Sequence, residues 1–112
     1  MTVRDLISAL DLQVLTEGDL DAPVENGYCG DLLSWVMGRM PHGSVWFTIM
    51  SNRNVLAVAV LAEAPAIVLC EGVVPDEDVL EKAREEELTL LTSPEGAFTL
   101  AGRVYAMLEQ TK

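Results

Sequence analysis

The chain has 112 residues, half of them hydrophobic, a net charge of −11 and an isoelectric point near 4.2. That length fits one domain, residues 1–112, with a modest core, and the apolar content excludes an intrinsically disordered chain. The acidity argues against nucleic acid and anionic membrane surfaces as partners, because phosphates and lipid headgroups call for a basic face.

Thr2-Val3-Arg4-Asp5 matches a capping box. Val3, Leu6, Ile7 and Leu10 follow at the spacing of one helix face. Gln13–Thr16 reads as a short strand and Glu17-Gly18-Asp19 as a turn. Pro23–Tyr28 is open: Val24 and Tyr28 suit a strand, while Asn26-Gly27 signals a turn. Gly30-Asp31 is expected to open a second helix, with Leu33, Val36, Met37 and Met40 on its inner face and Pro41 and Gly43 stopping it.

Val45–Met50 is rich in β-branched and aromatic residues, as strands are. Ser51-Asn52-Arg53-Asn54 has the composition of a helix N-cap. Val55–Leu61, the longest apolar run, is a helix by its cap and alanines, yet its valines also suit a strand. It is far shorter than the roughly 20 residues of a membrane span, and Arg4 and Asp5 interrupt any signal peptide. Pro65 ends the run, and Ala66–Cys70 reads as a strand covered on both faces. Gly72 supplies a turn, and Pro75 is expected in the first turn of an acidic helix with Val79, Leu80 and Ala83 inward. Leu88–Leu91 is the next strand. Thr92-Ser93-Pro94-Glu95 reads as a capping box for a last helix whose inner face holds Ala97, Ala101, Val104, Tyr105 and Leu108. Strands alternating with helices predict an α/β fold, with a central, mainly parallel sheet of four or five strands flanked by helices.

Two stretches resemble the DRTGG domain, which is related to the N-terminal domain of HPr kinase/phosphorylases. Asn52-Arg53 stands at the family's Asp-Arg pair. Cys70-Glu71-Gly72, before Val73-Val74-Pro75-Asp76, stands at its Thr-Gly-Gly. Arg53, Gly72 and Pro75 keep the family's residue types. Gly27-Tyr28-Cys29-Gly30-Asp31-Leu32-Leu33-Ser34-Trp35-Val36-Met37 is similar to a stretch of small stand-alone members linked to iron-only hydrogenase gene clusters. The resemblance implies a regulatory or accessory module, usually a homodimer. The catalytic domain of the kinase relatives carries a phosphate loop, and no G-x-x-x-x-G-K-[ST] occurs here. A non-enzyme without cofactor is expected.

Ser51–Asn54 joins a strand to a helix start, where backbone N–H groups and Arg53 can receive an anion. Glu71-Gly72 lies at the same sheet edge if its strand runs parallel, and Glu71 favours a nucleotide-like ligand or a peptide over a bare anion. The expected ligand-binding residues are Asn52, Arg53, Glu71 and Gly72, then Gly27 and Tyr28 in a loop. The plainer reading has Ser51 and Asn52 capping a helix and Arg53 paired with surface acid. Tyr28 and Trp35 fit either the core or a protein interface. His42 and the two cysteines lack metal-ligand spacing, so no metal is expected. The cysteines are expected to stay reduced in the cytoplasm, Cys29 without a basic neighbour to activate it. The function expected is binding of a small ligand or partner protein. The alternative is a purely interacting homodimer with no ligand.

Overall fold

The sheet is organised by strands that expose nothing. A computed structural model describes residues 1–110. Within it the elements run α1 Val3–Leu10, β1 Gln13–Thr16, β2 Asn26–Cys29, α2 Leu33–Arg39, β3 Ser44–Thr48, α3 Arg53–Leu61, β4 Ala66–Leu69, α4 Glu77–Glu85, β5 Leu90–Thr92 and α5 Ala97–Gln110. Every residue of β3, β4 and β5 is buried. The five strands lie in the order β1-β5-β4-β3-β2. β2 through β5 are mutually parallel, with Gly27 opposite Val45, Val45 opposite Ala66, and Ile67 opposite Leu90. β1 closes the sheet antiparallel to β5, with an irregularity between Val14 and Thr16. The fold is therefore α/β, as expected, with one antiparallel edge.

Alternation along the strands sorts the core into two layers. Trp46, Ile67, Leu69 and Leu90 meet Val36 of α2, Val55, Leu56, Val58 and Ala59 of α3, and Val79 and Ala83 of α4. On the other face Val45, Phe47, Ala66, Val68 and Leu91 meet Val3, Leu6 and Leu10 of α1 and Leu100 and Val104 of α5.

The open readings close on local chemistry. Residues 53–61 are a helix, because the Asn52 side chain accepts from the Asn54 N–H at 2.9 Å and caps it. Asn26–Cys29 is a strand. The Thr2–Asp5 capping box forms reciprocally, and its hydrogen bonds from Thr2 hold the Asp5 carboxyl below the usual carboxylate range.

Several boundaries differ from expectation. α2 begins at Leu33, after Gly30-Asp31, and its Met37 is exposed. Pro75 lies just before α4, whose N-cap is Asp76. The Thr92–Glu95 box does not cap α5. The Thr92 hydroxyl instead donates to the carbonyls of Leu69 and Val73, and α5 starts at Ala97. Leu100 takes the core position on α5, while Tyr105 is exposed.

The turn after β1 packs hard against the α4–β5 connection. The Gly18 N–H donates to the Thr89 hydroxyl at 3.0 Å, and the Thr16 hydroxyl donates to the Leu88 carbonyl at 2.8 Å. A Cβ at Gly18 would collide with the Glu87 backbone carbonyl. Gly18→Ala is accordingly expected to cost about 1–3 kcal/mol. In a chain of this size that lowers Tm by roughly 5–15 °C, readable by thermal unfolding.

Candidate functional site

Parallel strands put the starts of α2, α3 and α4 at one edge of the sheet, where the C-terminal ends of β2 to β5 meet. Most loops there are fastened to one another. Asp31 Oδ1 accepts from the Thr48 hydroxyl at 2.7 Å and from the Ile49 N–H at 2.9 Å. The Trp46 indole N–H donates to the Gly30 carbonyl at 2.9 Å. The stretch expected to be a binding loop is thus strand β2 followed by a pinned connection.

The β4–α4 connection is held as firmly. Glu71 and Gly72 both have positive φ, 59° and 75°, in a turn closed by the Val73 N–H on the Cys70 carbonyl. Their own N–H groups donate to the carbonyls of Glu95 and Ser93 at 2.9 and 2.8 Å. Neither is left to receive an anion.

The N-termini of α3 and α4 converge on a cleft of about 410 Å³. Ser51, Asn52, Arg53, Asn54, Asp76, Asp78 and Val79 line it. Asp76 occupies the N-cap of α4, yet its side chain makes no capping hydrogen bond. Arg53 has no ion pair, against the plainer expectation. Lys112 lies outside the described residues. Among the described ones, Arg4 meets Asp21, Arg39 stacks 4.1 Å above the Trp35 ring, and Lys82 meets Glu85 and Glu86. Arg84 meets Glu77, and Arg103 meets Glu95. Two helix N-termini and one unengaged guanidinium attract an anionic group, while Asp76 and Asp78 oppose a bare anion and can accept from hydroxyl or amino donors.

Of the six expected residues, only Asn52 and Arg53 share this cleft. Glu71 faces a separate recess of about 250 Å³ with Asp31 and both cysteines. Gly72 borders a third, of about 450 Å³, with Asp11, Gln13 and Thr92. Gly27 and Tyr28 lie within β2, opposite Val45 and Trp46, and Tyr28 packs against the α2–α3–α4 layer. Trp35 is exposed. Ser51, Asn54, Asp76 and Asp78 were absent from the expected set; Asp76, beside Pro75 at a helix start, carried the one usable signal.

The thiols are free and lie two strands apart. Cys29 pairs with Phe47 of β3, and Cys70 follows β4, one strand further on. Two strand spacings of about 4.8 Å exceed the roughly 7 Å that a disulfide tolerates between Cα atoms. Burial, then the nearby Cys29 and Asp31, push the Cys70 thiol up to about 11. Desolvation and Asp31 also raise Cys29. The only histidine, His42, lies in the α2–β3 connection with Nδ1 3.5 Å from Glu63.

The family model of the DRTGG domain matches residues 5–107. No curated protein matches the chain. Among solved structures it is similar to the CBS and DRTGG domains of the regulatory region of Clostridium perfringens pyrophosphatase, complexed with the activator diadenosine tetraphosphate. The TM-score is 0.68 at 13% identity, over 89% of this chain and 44% of that one. The chain therefore spans less than half the length of that structure, and the likeness is one of fold.

A native thiol at about 11 against an ordinary 9.0 has a definite sign. Above pH 9 the unfolded chain loses the Cys70 proton first, so stability falls as pH rises toward 11. The expected loss is about 2–3 kcal/mol, and urea titrations at pH 8 and pH 11 measure it. A Cys70→Ala variant is expected to show a flatter profile. Asp31→Ala orphans the Thr48 hydroxyl and the Ile49 N–H, and is expected to destabilise by about 1–3 kcal/mol in the same titration.

Proposed function

The chain belongs to the DRTGG domain family, and from that membership we propose that it acts as a regulatory or accessory module of one domain, residues 1–112, seating a small ligand between α3 and α4. The observation that carries this reading is Arg53, the one described Lys or Arg with neither an acidic partner nor an aromatic ring. It stands at the first turn of α3 in a chain of net charge −11. A guanidinium that makes no ion pair is available to a ligand's anionic group.

The ligand class that fits is nucleotide-like. A phosphate is met by Arg53 and the two helix N-termini. Hydroxyl or amino groups of the same molecule are met by Asn52, Asn54, Asp76 and Asp78. The dinucleotide activator in the similar pyrophosphatase structure supports this class. No catalytic step is assigned to the cleft. Kinship with the HPr kinase N-terminal domain, an association with iron-only hydrogenases and a cytoplasmic location belong to the same reading. The first two rest on the resemblance of Gly27–Met37 and Asn52–Asp76, and the location on cysteines expected to stay reduced. Among the described residues no helix is long and apolar enough to cross a membrane.

The second reading is an interaction module without a ligand, most simply a homodimer. The exposed apolar residues of α3, Val60 and Leu61, favour it.

The test is thermal unfolding against a panel of nucleotides and phosphorylated metabolites. A ligand at about a hundred times its Kd stabilises by roughly 2.7 kcal/mol, a Tm shift on the order of 10 °C. The shift is expected to vanish in Arg53→Ala and to persist in Glu71→Gln, which lies outside the cleft. A flat panel, or a shift indifferent to Arg53, sinks the ligand reading.

A further inference from the structure

The cleft at the starts of α3 and α4 is short of apolar wall. Small-molecule sites are lined mainly by apolar side chains, with a few polar groups that fix orientation. This cleft inverts that proportion, since Val79 is the one apolar residue lining it. The missing wall lies next to it. An open groove of about 280 Å³ runs between α3 and α4, lined by Leu56, Ala57, Val60 and Leu61. The two helices start from the same sheet edge, so they run side by side in one direction. Positions 53, 57, 60 and 61 fall at i, i+4, i+7 and i+8 and form one stripe of α3. Positions 78, 82 and 86 fall at i, i+4 and i+8 and form one stripe of α4. Both stripes begin in the cleft and end in the groove, and Arg53 lines both. Cleft and groove are thus two halves of one trough. In the groove half Ala57 is exposed, Val60 is 43% exposed and Leu61 69%, a contiguous apolar surface unlike a scattered exposed leucine.

We propose that the trough takes a nucleotide lengthwise, with its phosphate in the cleft and its base in the groove. The proposal rests on the ligand reading above and adds to it the orientation of the ligand and the origin of its selectivity. From Arg53 to Leu61 the α3 side of the trough rises about 12 Å. Ala57, with only a methyl group, leaves a floor on which a flat ring can lie, and Val60 and Leu61 stand beyond it. At that end Lys82 and Glu86 meet at 3.2 Å. An ammonium has three donors and a carboxylate about four acceptor sites, so one ion pair leaves both able to bond ring nitrogens and exocyclic groups. The Arg53 guanidinium, at the junction, offers its planar fork to the phosphate. Charge decides against a bare anion. Asp76 and Asp78 line the phosphate half, in a chain of net charge −11. A phosphate alone meets that repulsion with only Arg53 and the two helix N-termini to offset it. A nucleotide also removes apolar ring surface and the faces of Ala57, Val60 and Leu61 from water. The selectivity of the site is therefore for the base as well as the phosphate.

Isothermal titration calorimetry on the full chain compares AMP, GMP, CMP and UMP with ribose 5-phosphate, which has the same sugar and phosphate and lacks only the base. At least one nucleotide is expected to bind tighter than ribose 5-phosphate by about tenfold or more. Ala57→Leu fills the floor of the groove, and Leu61→Ser removes its outer apolar wall. Each is expected to lower that nucleotide's affinity about tenfold and to leave ribose 5-phosphate unchanged, while circular dichroism shows the fold retained. Arg53→Ala is expected to weaken every probe. Ribose 5-phosphate that binds as tightly as all four nucleotides overturns the proposal and leaves the ligand reading standing. So does a nucleotide affinity indifferent to both groove variants. If none of the five probes binds, the proposal falls, and the Tm panel decides the ligand reading by itself. A Leu61→Ser chain that changes its mass in sedimentation velocity but keeps its nucleotide affinity assigns the groove to a protein contact, and that too overturns the proposal.

Discussion

Everything in this molecule follows from a parallel sheet whose central strands are covered on both faces. β3, β4 and β5 expose no residue, so each must be apolar in both directions or satisfy its polar atoms internally. The few polar side chains comply. Ser44 donates to the Pro41 carbonyl at 2.6 Å, Thr48 to Asp31, and Thr92 to Leu69 and Val73. Among the described residues no buried side-chain nitrogen or oxygen lacks a partner. The same requirement makes the second helix layer obligatory. α1 and α5, from the two ends of the chain, cover the face that α2, α3 and α4 leave bare.

Closing the C-terminal edge of such a sheet uses up the polar groups of its loops. Asp31 ties β2's exit to the end of β3, and the N–H groups of Glu71 and Gly72 tie β4's exit to that of β5. Groups already hydrogen-bonded within the fold gain little from a ligand, because binding would only exchange one partner for another. The exception is the space between the starts of α3 and α4. There the Asp76 carboxylate does not cap its own helix and Arg53 finds no acid. Of the three recesses at that edge, this cleft is the one lined by a cation.

The alternation of strands and helices was legible because each helix start carries its own chemistry: Thr2 with Asp5, Asn52 before Arg53. Buried strands showed as unbroken apolar runs. Whatever depended on partners distant in sequence was not legible. β1 carries no local mark of running antiparallel, since its direction is set by β5. Thr92 looks like a helix cap in sequence, but two carbonyls of the β4 region claim its hydroxyl first. The candidate site was half legible for the same reason. Asn52 and Arg53 are neighbours in sequence and in space. Glu71 and Gly72 are neighbours too, but the positive-φ turn between the two layers sends them to different recesses. Tyr105 shares the rough spacing of the inner stripe of α5, yet only Leu100 and Val104 lie deep enough to be enclosed.

α3 links the two surfaces on which function can act. Its first turn borders the cleft, and its outer stripe borders the groove; Arg53 lines both. A charged residue without an ion pair, on a helix that is apolar from Val55 to Leu61, thus stands where the polar cleft and the apolar groove meet.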